Sequence, residues 1–115
     1  MFKLKERMNF IKLIFKLENR ITVKSYNNLT ISFCEEVKAS HIIRGIRNVY
    51  DYEYEKKIAF SNYKLNPNIE TIFLQSKECN NTISSTLVKD LLTNKHDIKN
   101  KLDLFIPKEI LTHIN

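Results

Sequence analysis

Glycine, proline and tryptophan are scarce in this 115-residue chain, which contains one glycine, two prolines and no tryptophan. A Walker loop or a G-x-G-x-x-G fingerprint needs several glycines, because the backbone must turn tightly and approach the phosphates closely. Gly45 is the only glycine here. Kinase-type and dinucleotide-type phosphate cradles are therefore excluded, and the sequence can hold only a glycine-poor nucleotide site.

Cysteine and histidine are also few. Cys34 and Cys79 lie far apart, form no C-x-x-C pair and have no histidine at metal-ligand spacing, so both are predicted to be reduced, structural thiols. His41, His96 and His113 show no metal spacing either. No nucleophile–base pair is visible. We therefore predict no metal-ligating residues and no nucleophilic catalysis.

Long apolar runs are missing as well. The most apolar stretch near the start, residues 10–17, is interrupted by Lys12 and Lys16 and is shorter than the roughly 20 residues that span a bilayer. Residues 18–20 are Glu, Asn and Arg where a secretory signal would need small residues. We expect no membrane association and a cytoplasmic location. With 43% hydrophobic residues, the chain is long enough for one core.

The net charge of +6 is compatible with a nucleic-acid surface, a phosphate-bearing small ligand or simple lysine drift. Lysines are spread over the whole chain among many asparagines and isoleucines, which weakens the nucleic-acid interpretation. A basic stripe with interleaved aromatic residues is absent, so no nucleic-acid partner is predicted. Arginine is rarer, and two of the four arginines, Arg44 and Arg47, flank Gly45.

Hydrophobic periodicity predicts alternating helices and strands. The predicted helices cover Leu4–Leu17, Leu29–Val37, Val49–Leu65, Ser84–Leu92 and Lys108–Ile114. The predicted strands cover Ile21–Lys24, His41–Ile46 and Ile69–Leu74, and a polar loop covers Gln75–Thr82. A turn at Asn27-Asn28 provides a possible N-cap for the second helix. This order predicts an α/β fold with a parallel sheet and right-handed crossovers.

The segment Arg44-Gly45-Ile46-Arg47 places two permanently charged guanidinium groups beside a residue that lets backbone N–H groups approach a ligand. A phosphate suits such a segment. The alternative is that both arginines form surface ion pairs with Asp51, Glu53 or Glu55, and taken alone the motif favours that alternative.

The segment Ile83-Ser84-Ser85-Thr86 offers hydroxyls and N–H groups at the predicted start of a helix, where the helix dipole attracts anions. Ordinary helix capping is the alternative. Because this segment and Arg44–Arg47 both follow predicted parallel strands, we expect them to meet at one edge of the sheet. Two converging phosphate-binding loops indicate a nucleotide.

Three segments together resemble the phosphopantetheine adenylyltransferase family, a branch of the nucleotidylyltransferases: Ile43–Arg47, Asp51-Tyr-Glu-Tyr-Glu55 and Ile83–Lys89. Met1-Phe-Lys-Leu-Lys-Glu-Arg7 is also similar to that family's M-F-x-x-x-E-R helix opening. The resemblance implies transfer of the adenylyl group of ATP to 4′-phosphopantetheine, which yields dephospho-coenzyme A and pyrophosphate in coenzyme A biosynthesis. It also implies magnesium, a cytoplasmic enzyme and a homo-oligomer, usually a hexamer.

Carried over residue by residue, the resemblance implies that Arg44 binds the phosphate of phosphopantetheine and that Thr30 lines the same pocket. ATP would be contacted by a larger set: Gly45, Ile46, Arg47, Glu55, Asn80, Asn81, Thr82, Ile83, Ser84, Ser85 and Thr86. Arg47 would also stabilise the charge on the departing pyrophosphate. Family members commonly have an aromatic residue where this chain has Asn80, which puts the packing of the nucleotide there in question.

The family's T/H-x-G-H segment and a substrate-binding lysine both precede the position that matches Met1. By resemblance, residues 1–115 are therefore a single incomplete nucleotidyltransferase domain, the C-terminal two-thirds of the family domain. Its fold would be a Rossmann-like parallel sheet with flanking helices that lacks the family's first two strands. We expect the activity of the chain alone to be doubtful and its open strand edges to bind other chains. The alternative function is an inactive remnant that only binds nucleotide or associates with intact subunits.

Overall fold

A computed structural model describes residues 1–94 and 101–114. The chain divides into two compact units, which we call the helical unit (Met1–Ser25 with Ile83–Asn115) and the sheet unit (Tyr26–Thr82). The elements in chain order are α1 (Leu4–Ile14), α2 (Thr30–Glu36), β1 (His41–Ile46), α3 (Val49–Leu65), β2 (Glu70–Gln75), α4 (Ser85–Thr93) and α5 (Lys108–Ile114). Short 3₁₀ helices cover Glu78–Asn80 and Leu102–Leu104.

The sheet unit is built on β1 and β2, which pair in parallel and are connected through α3. Helix α3 begins at the N-cap residue Asn48, whose side chain accepts a hydrogen bond from the Asp51 N–H. The helix packs on one face of the sheet, where the rings of Tyr52 and Phe73 meet edge to face at 5.7 Å. Helix α2 contributes Ile31 and Cys34 to a small core around Ile69. The α/β parallel architecture predicted from the sequence is confirmed.

The opposite face of the sheet, which we call the open sheet face, consists of Ile43, Gly45, Ile72 and Leu74. Register pairs Ile43 with Ile72 and Gly45 with Leu74, so these residues point to the same side. The three apolar side chains are 64%, 42% and 56% exposed. Parallel sheets normally have both faces covered, so an uncovered apolar face in this sheet is unusual.

The backbone hydrogen bonds of β1 also leave one edge without a partner strand. The Ser40 carbonyl accepts from the Glu70 N–H of β2, and the Ile46 carbonyl accepts from the Ser76 N–H directly after β2. The period of two along a strand directs the N–H and C=O groups of Ile43 and Gly45 to the other side. Within residues 1–94 and 101–114, no segment pairs with that second edge. We call it the free edge of β1.

The helical unit has a core of its own. Leu92 from α4 and Ile110 from α5 are buried together with Leu102 and Ile106 from the segment between these helices. Phe2 and Phe10 pack against this cluster with their rings edge to face at 5.1 Å. Helix α5 begins directly after Pro107, as predicted, because a proline at a helix start removes only an N–H that has no intrahelical partner.

The predicted strand Ile21–Lys24 is wrong. The structure gives these residues no regular secondary structure, although their alternation and β-branched side chains favour a strand. A strand exists only when a neighbouring strand satisfies its N–H and C=O groups, and none of the described segments pairs with residues 21–24. Alternation and β-branched composition carry no information on whether a partner strand is present.

Two helix ends also differ from the prediction. Helix α1 ends at Ile14 instead of Leu17, because the Glu18 N–H bonds the Phe15 carbonyl in a tighter turn. The N-cap of α2 is Leu29, with no side-chain cap, and not the predicted Asn27-Asn28. Stacking of Tyr26 on Phe33 at 4.4 Å fixes the entry to this helix without a polar cap. The predicted loop Gln75–Thr82 contains the end of β2 and a 3₁₀ turn.

Cys34 is a free, buried thiol, and burial raises its pKa. Its position in the core of the sheet unit agrees with the predicted structural role, whereas the Cys79 side chain and His96 lie outside what the structure describes. A search of the described residues for a helix of sufficient length and apolarity to cross a membrane finds none.

Candidate functional site

A cleft of about 220 Å³ opens between α2, β1 and α3 in the sheet unit. Its walls include Thr30 and Arg44, the two residues that the resemblance assigned to one pocket, and also Glu55. Apolar side chains from β1 and α3 complete the walls, so a ligand there would meet a few polar groups in an apolar setting. We call this space the Arg44 cleft.

Arg44 and Glu55 form a two-point ion pair at this cleft. The Arg44 Nε–H donates to Glu55 Oε2 at 2.8 Å, and Nη2 donates to Oε1 at 2.5 Å. The Glu55 side chain is 11% exposed and that of Arg44 is 50% exposed. The carboxylate therefore lies inside the unit, and the outer part of the guanidinium group remains accessible.

The ion pair changes the acid–base properties of both groups. Hydrogen bonds from Arg44 lower the pKa of Glu55, although burial opposes this effect. The bonded carboxylate in turn raises the pKa of Arg44. Both side chains are therefore charged at neutral pH, and the pair as a whole is neutral.

A second cleft, of about 370 Å³, lies at the carboxyl ends of β1 and β2. Its lining includes Ile46 and Arg47, two residues that the resemblance assigned to ATP, together with Phe73. The Arg47 Nε–H bonds Asp51 at 3.0 Å, one helical turn further on. This contact lowers the pKa of Asp51. Each arginine thus has an acidic partner, as the structural alternative for this motif predicted.

Gly45 lies between the two arginines in β1. Its φ angle is not positive, and a Cβ atom placed there would meet nothing within 4 Å. Neither backbone geometry nor packing of the described residues therefore requires glycine at this position. A strand glycine without such a reason is typical of a site where a ligand or another backbone comes close.

The predicted nucleotide-binding loop begins in the sheet unit. Asn80 closes the 3₁₀ turn, and Asn81 accepts a hydrogen bond from the Ser76 hydroxyl at 2.5 Å. Thr82 is exposed. The loop therefore presents amide and hydroxyl groups, and Asn80 lies where the resemblance led us to expect an aromatic residue.

The Ile83–Thr86 segment belongs to the helical unit. Ser84 is the N-cap of α4, and its Oγ accepts a hydrogen bond from the Leu87 N–H at 3.1 Å, so its capping role is confirmed. Ser85 lines a cleft of this unit together with Arg7 and Lys89. The sequence analysis missed both cations, although Lys89 lies one helical turn after Ser85.

The structure thus brings Arg44, Thr30 and Glu55 together in one cleft and Ile46 and Arg47 together in another. Tyr26 and Asn62 also line the Arg44 cleft, and the sequence analysis did not identify them. Asn62 could have been found from its spacing, since it lies seven residues after Glu55 on the same face of α3. The expected convergence of Ile83–Thr86 with Arg44–Arg47 stays a prediction.

The chain is similar in sequence to known proteins. The sequence profile of the cytidylyltransferase-like family matches residues 1–91. A phosphopantetheine adenylyltransferase of Flavobacterium psychrophilum is 45% identical over 97 residues, which are 84% of this chain and 64% of that protein. The enzyme of the same name from Bacteroides fragilis is 45% identical over 107 residues, or 93% and 68% of the two chains. That from Clostridium perfringens is 39% identical over 111 residues, or 96% and 65%.

Each match covers a larger share of this chain than of the relative. The chain spans 60% to 65% of the length of the first relatives from Flavobacterium psychrophilum, Christiangramia forsetii and Clostridium perfringens. Between 35% and 40% of the length of each of these relatives therefore lies outside the matched region.

Proposed function

Since this chain belongs to the cytidylyltransferase-like family, and within it to the phosphopantetheine adenylyltransferases, we propose that it provides the substrate-binding part of such an enzyme. The reaction would transfer the adenylyl group of ATP to 4′-phosphopantetheine, giving dephospho-coenzyme A and pyrophosphate. A phosphate oxygen of phosphopantetheine forms a new bond to the α-phosphorus of ATP, and the bond from that phosphorus to the pyrophosphate oxygen breaks. We also propose a cytoplasmic location for this reaction.

One observation supports this proposal above the others. Arg44 is fixed by Glu55 on one side and exposed on the other. A guanidinium group has five N–H donors, and two of those of Arg44 are engaged by Glu55. The rest are available to the two oxygens of a phosphate group, which an arginine fork fits well. We propose that Arg44 binds the phosphate of phosphopantetheine in the Arg44 cleft and that Thr30 contributes its hydroxyl.

The nucleotide would lie beyond the carboxyl end of β1. Gly45 and Ile46 would contact ATP through the backbone, and Arg47 would stabilise the charge that develops on pyrophosphate. Asn80, Asn81 and Thr82 would form one side of the nucleotide pocket, and Ile83, Ser84, Ser85 and Thr86 would bind the phosphates. The cations Arg7 and Lys89 beside Ser85 support an anionic ligand for this last segment.

Magnesium is part of the proposal only as a companion of ATP. Among the described residues, no group of three or more His, Cys, Asp or Glu side chains could hold a metal ion. Asp51 and Glu55 on α3 are already paired with the two arginines of β1 and its following loop. The chain's own described residues therefore do not fit a magnesium site. The phosphate oxygens of ATP themselves are suitable ligands for magnesium.

Catalysis also requires the part of the fold that this chain does not cover. By resemblance, the T/H-x-G-H segment belongs there, and we propose that a complementing segment, in the same or another polypeptide, supplies it. The completed protein would form a homo-oligomer, usually a hexamer in the family. The test is to co-produce the 115-residue chain with the part of the Flavobacterium psychrophilum relative that lies outside their match. Pyrophosphate release should then depend on both ATP and phosphopantetheine.

The same assay tests the assignment of Arg44. Replacing one charged hydrogen-bond partner costs about 1.5–3 kcal/mol, which corresponds to a rise of about 10- to 150-fold in the KM for phosphopantetheine with Arg44→Ala. Arg20→Ala is the matched control, because Arg20 is exposed and pairs only locally with Glu18. ATP binding without turnover in the reconstituted protein would instead support the inactive-remnant function.

A further inference from the structure

We propose that Tyr26 is a positioning residue for Thr30 in the Arg44 cleft. Its hydroxyl holds the Thr30 hydroxyl so that Thr30 donates a hydrogen bond to the phosphate group bound by Arg44. The inference rests on the proposed function, because it concerns the same cleft, but a separate contact carries it. Neither the sequence motifs nor the resemblance assigned a role to Tyr26.

The contact joins two side chains at the start of α2. The phenolic oxygen of Tyr26 and Thr30 Oγ1 are 3.1 Å apart, and both residues line the Arg44 cleft. Thr30 is the first residue of α2 and follows an N-cap residue that has no side-chain cap. A threonine hydroxyl can otherwise rotate to bond nearby backbone groups or water. The Tyr26 contact therefore restricts the rotation of the Thr30 hydroxyl in the cleft.

The chemistry of the ligand determines the direction of this hydrogen bond. The geometry alone allows either hydroxyl to be the donor. Phosphate oxygens are strong acceptors, so Thr30 must use its single hydrogen to bind a phosphate. Thr30 then accepts from Tyr26, whose phenol is more acidic than an aliphatic alcohol and is therefore a good donor. The result is a chain from Tyr26 through Thr30 to the phosphate, in which each hydrogen bond strengthens the next.

The Tyr26 ring is held by a second contact that does not involve its hydroxyl. It stacks on Phe33 of α2, with the ring centroids 4.4 Å apart and the two planes 7° from parallel. Tyr26 is 49% exposed, so it lies outside the buried core of the sheet unit. Removing the hydroxyl should therefore leave both the ring and the core in place. The role of the hydroxyl can be tested separately from that of the ring.

The first test compares three forms of the full chain, each produced with the complementing segment: wild type, Tyr26→Phe and Tyr63→Phe. Tyr63 is the matched control, because it is 54% exposed on α3 and does not line the Arg44 cleft. We expect Tyr26→Phe to weaken binding of 4′-phosphopantetheine, measured by calorimetry, about 3- to 10-fold, the loss typical of one neutral hydrogen bond. Tyr63→Phe should bind as the wild type does. Equal affinity of the wild type and Tyr26→Phe would overturn the inference.

A double-mutant cycle shows whether Tyr26 acts through Thr30. Thr30→Val removes the hydroxyl and keeps the shape of the side chain, whereas Thr30→Ser keeps the hydroxyl. Tyr26→Phe should weaken phosphopantetheine binding about 3- to 10-fold in the Thr30→Ser background and have no further effect in the Thr30→Val background. An equal loss in both backgrounds would mean that Tyr26 contacts the ligand directly or supports the fold, and it would contradict the proposal. Circular dichroism of each variant verifies that the chains compared are folded.

Inorganic phosphate separates this role from the proposed enzyme activity. Phosphate should shift the NMR signal of the Thr30 methyl group in the wild-type protein, and Tyr26→Phe should weaken this binding about 3- to 10-fold. If phosphate binding behaves in this way but no dephospho-coenzyme A forms, the proposed function fails and the role of Tyr26 stands. If the enzyme is active and Tyr26→Phe changes the affinity for neither phosphate nor phosphopantetheine, the role of Tyr26 fails alone.

Discussion

At the scale of single residues, the Arg-Gly-Ile-Arg segment shows how one motif can serve two purposes. Both arginines form the ion pairs that a purely structural interpretation predicts. Yet the two pairs differ, because Glu55 is buried and Asp51 is about one-quarter exposed. The two-point contact with the buried carboxylate fixes the plane of the half-exposed Arg44 guanidinium group. The Arg47–Asp51 pair is more exposed and contributes little to stability.

Gly45 permits a prediction that distinguishes folding from ligand binding. Gly45→Ala should raise the free energy of unfolding by about 0.5–1 kcal/mol, because glycine in a strand costs that much in chain entropy. The added Cβ atom would meet nothing within 4 Å. ATP affinity should fall in the same variant if the backbone of Gly45 approaches the nucleotide. Denaturant unfolding and calorimetric titration measure the two effects. Unchanged ATP affinity would show that glycine is not needed for the ligand.

The Arg44–Glu55 pair predicts a specific pH dependence of stability. The pKa of Glu55 is lower in the folded chain than its ordinary value of 4.5, so the pair stabilises the folded state above that pH, and the stabilisation is lost as the pH falls through the folded pKa. At pH 7, Glu55→Gln should unfold about 1–2 kcal/mol more easily than wild type. The difference should vanish in acid below the folded pKa. A difference that is constant from pH 7 to pH 3 would exclude the charge as its source.

At the scale of secondary-structure elements, the sequence predicted best where a local signal marks both ends. β1, α3 and α5 have the predicted bounds, and β2 is shifted by a single residue. Asn48 and Asn66 limit α3, and Pro107 starts α5. The failure at Ile21–Lys24 has a different origin, since strand formation depends on a partner that no local pattern encodes. The candidate site follows the same division. Its motifs were visible, but the grouping of Glu55 with Arg44 and Thr30 depends on packing.

The end of α2 offers a prediction at this scale. Lys38 has a φ angle of 57°, and Ala39 and Lys38 donate to the carbonyls of Cys34 and Glu35. These bonds form a Schellman motif, in which glycine is the preferred residue at the left-handed position. Lys38→Gly should therefore raise the free energy of unfolding by about 1 kcal/mol. Lys57→Gly, in the middle of α3, should lower it by a similar amount. Thermal melts of both variants show whether the two substitutions change stability in opposite directions.

At the scale of the whole molecule, the open sheet face and the free edge of β1 belong together. Ile43 contributes to both, through its exposed side chain and through its backbone groups. A sheet of two described strands with one apolar face uncovered is marginal on its own. Between 35% and 40% of the length of the first relatives lies outside their match to this chain. A complementing segment that adds a strand to β1 and covers Ile72 and Leu74 would satisfy both features.

This reasoning predicts the solution behaviour of the 115-residue chain. Without a complementing segment, the chain should associate through the free edge of β1, because unpaired strand groups beside exposed apolar side chains favour pairing with another chain. Ile43→Lys should reduce this association at least tenfold in sedimentation experiments. Leu104→Lys should not, although Leu104 in the helical unit is 70% exposed, about as much as Ile43. Adding the part of the Flavobacterium psychrophilum relative that lies outside their match should convert the self-associated chain into a complex that melts cooperatively. A sharp melt of the isolated monomer would show that the free edge needs no partner.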